Sequence, residues 1–115
     1  MKYQGSCHCG NVKFEVEGDI AGVISCNCSM CSRKGSLLWF VPRDKLQVKT
    51  SDKDIATYTF NKHVIKHRFC PKCGIHTHGE GRDRRGNATG AINIRCIEGL
   101  DLDAVQVTPF EGRSL

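Results

Sequence analysis

Residues 12 to 18 place Val12, Phe14 and Val16 on one side of the chain and Lys13, Glu15 and Glu17 on the other. This is the period-two pattern of a half-buried strand, ended by Gly18. Further short runs share the same character: GVISC, SLLWFVP, KLQVKT, IATYTF, HVIKHRF, GAINIRC and DAVQVTPF. They are rich in β-branched and aromatic residues and are separated by Gly, Asp, Asn or Pro. No segment carries a long 3.6-residue apolar period, so helices are expected only as single turns. One such turn is predicted at Ser29 to Lys34, with Ser29 as its N-cap. The predicted architecture is all-β, built from several small antiparallel sheets. Residues 79 to 90, GEGRDRRGNATG, hold four glycines and no large apolar residue, and they read as an exposed, mobile loop.

Composition narrows this picture. A chain of 115 residues has room for one modest core, so residues 1–115 are expected to form a single domain. With 39% hydrophobic and 25% charged residues, the chain is too apolar to be disordered. No apolar run approaches the roughly 20 residues that span a bilayer, which argues against a membrane partner. The opening MKYQGSCHCG has no hydrophobic region of the signal-peptide kind, so a cytoplasmic location is expected.

The formal charge of +5 is concentrated in residues 61 to 85. Lys62, Lys66, Arg68, Lys72, Arg82, Arg84 and Arg85 stand there against Glu80 and Asp83, so the rest of the chain balances to zero. A basic segment can attract an anionic ligand or nucleic acid. Aromatic residues make up only 7% of the chain and are not interleaved with these cations as stacking platforms. No recognition helix is predicted either, so a solvated face is the favoured reading and nucleic acid is not the expected partner.

Eight cysteines in a chain with no export signal point to metal binding rather than to a disulfide framework. Cys7-His8-Cys9-Gly10 and Cys70-Pro71-Lys72-Cys73-Gly74 each put glycine directly after the second cysteine. A tight turn around an ion needs positive φ there, so that backbone N–H groups can point at the sulfurs. Together the two motifs supply four thiolates, a closed tetrahedral set of the structural zinc kind. A redox role for Cys70 and Cys73 would call for a βαβ context that the pattern does not contain.

The third motif, Cys26-Asn27-Cys28-Ser29-Met30-Cys31, supplies three sulfurs and no fourth. Catalytic zinc sites commonly use three protein ligands and leave one position for water or substrate. Cys96, His8, His63, His67, His76 or His78 are the residues that would instead close the set. Cys96 itself reads as a small buried residue at the end of a strand. Arg33 and Lys34 follow the third thiol and stand as either an exposed pair or a carboxylate contact, and Trp39 as either core or a pocket wall. His67 shares one face of a predicted strand with His63, Ile65 and Phe69.

The ordered segments GSCHCGNVKFEV, CNCSMCSRKG, YTFNKHVIKHRFCPKCGIHTH and NIRCIEG resemble the glutathione-dependent formaldehyde-activating family, which includes centromere protein V. The resemblance runs from about Gly5 to Phe110. It implies an Mss4-like fold of coiled sheets organised around zinc, with two ions per chain. The structural ion would be held by Cys7, Cys9, Cys70 and Cys73, and the catalytic one by Cys26, Cys28 and Cys31. It also implies carbon–sulfur lyase chemistry on a small thiol partner such as glutathione, whose founding reaction forms S-(hydroxymethyl)glutathione from glutathione and formaldehyde. The competing reading is a non-enzymatic zinc module for a protein or nucleic-acid partner.

Overall fold

The computed structural model describes residues 1–60 and 64–110. The described residues hold ten strands: β1 (Lys2–Ser6), β2 (Lys13–Glu17), β3 (Val23–Cys26), β4 (Leu37–Pro42), β5 (Leu46–Val48), β6 (Ala56–Tyr58), β7 (Lys66–Phe69), β8 (His76–Arg82), β9 (Ala88–Asn93) and β10 (Val107–Phe110). The one α-helix among the described residues is the single turn α1 (Cys31–Lys34). The protein is therefore all-β, as expected. Its strands form a three-stranded sheet ordered β1-β2-β5 and a seven-stranded sheet ordered β10-β3-β4-β9-β8-β7-β6. All pairs are antiparallel except β10 with β3, which run parallel. Among the described residues no helix is long and apolar enough to cross a membrane.

The alternation seen in residues 12–18 places Phe14 and Val16 inside, between solvent-facing Lys13 and Glu17. They meet Val23, Trp39, Val41, Leu46, Ile92, Ile94 and Ile97 in the main core, where Tyr3 packs edge-on against Trp39 at 5.7 Å. Trp39 is thus a core residue and not a pocket wall. A smaller cluster forms from Cys7, Val12, Ile55 and Cys70, so half of its buried members are cysteines. Burying each aliphatic side chain contributes about 1.5–3 kcal/mol. The second cluster has few such side chains, so apolar burial alone contributes little to its order.

Three expectations are corrected. Residues 79 to 90 are not a mobile loop: β8 and β9 lie inside the larger sheet, paired from His78 with Ile92 to Arg82 with Ala88. Only residues 83–87 turn, closed by the Asp83 N–H donating to the Asn87 carbonyl at 2.9 Å and by the Asp83 carboxylate accepting from the Arg85 and Asn87 N–H groups. The helical turn begins at Cys31 after Met30, and Ser29 makes no side-chain cap. Cys96 does not end a strand, because β9 stops at Asn93 and residues Ile94–Cys96 form a 3-10 turn capped by the Asn93 side chain.

The strand β8 escaped the apolar pattern because it is built from polar residues and glycines. The Glu80 carboxylate accepts from Arg43 at 2.7 Å and from Arg68 at 3.3 Å, and Arg68 also reaches Asp52 at 2.7 Å. Arg68, part of the basic segment, is buried by this network, so its charge is neutralised inside the fold.

Candidate metal centres

The first centre joins two tight turns that lie far apart in sequence. Cys7 and Cys9 follow β1, while Cys70 and Cys73 sit between β7 and β8. Gly10 and Gly74 adopt φ of 84° and 80°, the left-handed conformation expected after each motif. The turns aim backbone donors at sulfur: Val12 N–H donates to Cys7 Sγ at 3.3 Å, Lys72 N–H to Cys70 Sγ at 3.3 Å and Cys73 N–H to Cys70 Sγ at 3.4 Å. Asn11 Nδ2 adds a further contact to Cys70 Sγ at 3.6 Å.

The four sulfurs lie within 4.8 Å of one another. Cys7 and Cys9 are 3.7 Å apart and Cys9 and Cys70 are 3.6 Å apart, sulfur to sulfur. Four thiolates at about 2.3 Å from a tetrahedral ion would be separated by about 3.8 Å, so the set fits such an ion. Burial works against a charged Cys70, but the N–H donors of Cys73 and Lys72 and its side-chain neighbours outweigh it and bring the thiol down to about 6. The Asn11 N–H pulls the Cys9 thiol down. Desolvation and the three neighbouring sulfurs prevail and push it up to about 11. Four thiols this close share negative charge poorly unless a cation balances them.

The second centre is local. Cys26 ends β3, Cys28 lies in the connection and Cys31 opens α1. Cys28 N–H donates to Cys26 Sγ at 3.4 Å and Cys31 N–H to Cys28 Sγ at 3.3 Å, the same device as in the first centre. Asn27 N–H is anchored on the Phe110 carbonyl at 3.1 Å, which ties the turn to β10. Gly35, with φ of 70°, closes the helical turn through its N–H on the Cys31 carbonyl at 2.9 Å. Burial raises the Cys31 thiol to about 12, with the neighbouring Cys28 and Cys26 adding to it, whereas the N–H donors outweigh desolvation at Cys28 and lower it. These three sulfurs also lie within 4.8 Å of one another, which fits three ligands of one ion.

Among the described residues no fourth Cys, His, Asp or Glu joins this set. Cys96 instead donates its thiol to the His76 carbonyl at 3.5 Å. His8 is exposed, and His67 stacks on Phe60 at 5.4 Å. His76 Nδ1 pairs with Ser36 Oγ at 3.2 Å, and His78 Nδ1 with Thr77 Oγ1 at 2.9 Å. Burial depresses His67 to about 4, His76 to about 3 and His78 to about 4, leaving each neutral at pH 7. His63 lies outside the described residues.

A cleft of about 770 Å³ runs between the centres. Cys7 and Gly74 border it from the first centre, Met30 and Lys34 from the second, with Ser36 and His76 between them. Ser36 and Asn93 gave no signal in the sequence. Ser36 is fixed by its place just after the helical turn, and Asn93 holds the His76 carbonyl through Nδ2 at 2.8 Å. Arg33 is exposed and donates to the Ser29 carbonyl at 2.6 Å, while Lys34 is half-buried, so the two cations expected as a pair have separate surroundings.

The profile of a family described as glutathione-dependent formaldehyde-activating enzyme matches residues 2–108. A protein of Colletotrichum graminicola named for glutathione-dependent formaldehyde activation is 28% identical over 79 residues, which cover 64% of this chain and 41% of that relative. The match thus spans well under half of the curated relative. A crystal structure of a Rhodobacter sphaeroides protein is 32% identical and superposes with a TM-score of 0.78, covering 91% of this chain and 99% of that one.

Proposed function

Because this chain belongs to the glutathione-dependent formaldehyde-activating enzyme family, we propose that it is a zinc-dependent enzyme of carbon–sulfur bond chemistry acting on a small thiol. Residues 1–115 act as one zinc domain in this reading. Cys7, Cys9, Cys70 and Cys73 hold a structural ion, and Cys26, Cys28 and Cys31 hold a second ion open to substrate. The observation that carries it is the contrast in ligand number: a set of four sulfurs and a set of three, which no fourth Cys, His, Asp or Glu of the described residues joins.

A divalent ion on Cys26, Cys28 and Cys31 supplies Lewis acidity that favours the thiolate form of an arriving thiol. The chain's own contribution is to hold that place ready. The N–H groups of Cys28 and Cys31 orient the ligating sulfurs, and the cleft beside Met30 and Lys34 offers room for the rest of a peptide-sized thiol. Formation of S-(hydroxymethyl)glutathione then balances simply. The thiol gives up its proton, its sulfur bonds to the formaldehyde carbon, the C=O π pair moves to oxygen, and that oxygen takes a proton from water.

The non-enzymatic alternative draws on the basic segment, but Arg68 is internally paired. The test is NMR exchange spectroscopy on zinc-loaded protein with formaldehyde and glutathione. Faster exchange between free formaldehyde hydrate and the adduct, abolished in Cys28→Ser, supports the proposal. Exchange at the protein-free rate refutes formaldehyde as the substrate.

A further inference from the structure

Lys34 follows the three-sulfur motif and lines the cleft. It ends α1 one turn after Cys31, and its ammonium interacts electrostatically with Cys31, Cys28 and Cys26. It also lines the cleft beside Ser36 and His76, and its charge is felt by His76 and His67. It takes no part in the ion pairs of the described residues, which engage Met1, Lys2, Arg43 and Arg68. A half-buried ammonium without a carboxylate needs another source of negative charge. Burial is the largest influence on Lys34 and disfavours its charge, and the cysteines are what oppose it.

The charge of the centre explains why a cation stands there. Three thiolates and a divalent ion leave one net negative charge, and a fourth thiolate raises it to two. A neighbouring cation offsets part of that added charge and so favours an anionic ligand over a neutral one. Arg33, adjacent in sequence, cannot serve, because its guanidinium is exposed and bonded to the Ser29 carbonyl.

We propose that Lys34 is the specificity-determining residue of the open centre, making its fourth position selective for an anionic sulfur ligand over a neutral one. This rests on the open-site reading above and assigns Lys34 to the reacting sulfur rather than to a carboxylate elsewhere in the substrate. Lys34 lines the cleft and follows Cys31 by one helical turn, so in this proposal it acts on the incoming group as well as on the resident sulfurs.

The test is calorimetric titration of zinc-loaded wild type, Lys34→Met, Lys34→Gln, Lys34→Arg and Arg33→Gln with three probes: glutathione, S-methylglutathione and imidazole. S-methylglutathione keeps both carboxylates but has no ionisable thiol. Cobalt-substituted samples report each new sulfur ligand through their sulfur-to-metal charge-transfer band. Lys34→Met and Lys34→Gln are expected to weaken glutathione about tenfold, with Lys34→Arg within about threefold of wild type. Arg33→Gln should not change it, and S-methylglutathione and imidazole should bind all variants alike.

Equal glutathione affinity in wild type and Lys34→Met, with the new sulfur band present in both, overturns the role of Lys34 and leaves the open site standing. Equal losses for glutathione and S-methylglutathione overturn it too, by assigning Lys34 to a carboxylate. No new sulfur band in wild type at saturating glutathione overturns the open-site reading itself.

Discussion

The two cysteine centres use the same local device and differ in reach. In both, backbone N–H groups are aimed at sulfur and a left-handed glycine closes the turn. The first links segments more than sixty residues apart, as the Cys9 to Cys70 sulfur contact shows. It sits in a small core whose other buried members among the described residues are Val12 and Ile55, with Val48 packed against them. The second spans residues 26 to 31 and is held from outside by β3, β4 and β10. An ion in the first centre would close a long loop and stand in for missing apolar burial. An ion in the second would close a loop that the sheet already holds. On the reading proposed above, ligand number and structural importance point the same way, and the centre the fold needs least would be the one with a position to spare.

The largest expected effect breaks the first centre. Cys70→Ser should cost on the order of 4 kcal/mol, because loss of a structural ion removes folding free energy directly. Thermal melting should show a fall of more than about 15 °C. The equivalent change in the second centre, Cys28→Ser, should leave the melting temperature within about 5 °C of wild type. One ion per chain should be lost by elemental analysis, along with the thiol-adduct activity. Similar unfolding in the two variants would erase the distinction between the centres.

A finer probe uses the glycines. A Cβ at Gly74 or Gly35 meets nothing within 4 Å, so alanine at either position isolates the cost of positive φ, about 1 kcal/mol. Gly74→Ala should lower the melting temperature by about 5 °C. Gly35→Ala should chiefly speed release of one ion to a chelator, because its turn carries Cys31.

The Arg43–Glu80–Arg68 network offers a control outside both centres. Burial opposes the Glu80 charge, but the hydrogen bond and charge of Arg43, with help from Arg68, hold its carboxyl below the ordinary 4.5. A folded-state value below the unfolded one means that this stabilisation is complete above pH 4.5 and is lost as pH falls through the folded value. Denaturant melts of Glu80→Gln should therefore lose less stability than wild type between pH 5 and pH 3, although the variant starts about 1–2 kcal/mol lower at pH 7. The smallest effect belongs to Arg33→Gln, expected to change stability by less than about 0.5 kcal/mol, since its side chain is exposed and bonded only to a local carbonyl.

Much of this was readable before the fold was known, for identifiable reasons. Alternation found β2 because Phe14 and Val16 bury one face of a two-sided strand. Cysteine spacing, with a glycine after each paired motif, found both sulfur sets because ligand geometry is written locally. The strand β8 was hidden, since His76, Thr77, His78 and Gly79 are buried without any apolar signature and Glu80 is held by Arg43 from the turn after β4 and Arg68 from β7. The cleft was hidden for a related reason. Ser36, His76 and Asn93 meet only through tertiary contacts at separations of 17 and 40 residues, which no local pattern encodes. Trp39 and Lys34 show the same limit from the other side: both follow the third thiol in sequence, and only packing decides that one fills the core and the other borders the cleft.

The most direct test of the contrast between a closed and an open centre is zinc X-ray absorption on fully loaded protein, with and without saturating glutathione. The account predicts two ions per chain with an average of about 3.5 sulfurs each, rising to about 4 when glutathione is added. Two ions already at four sulfurs, unchanged by glutathione, would contradict it.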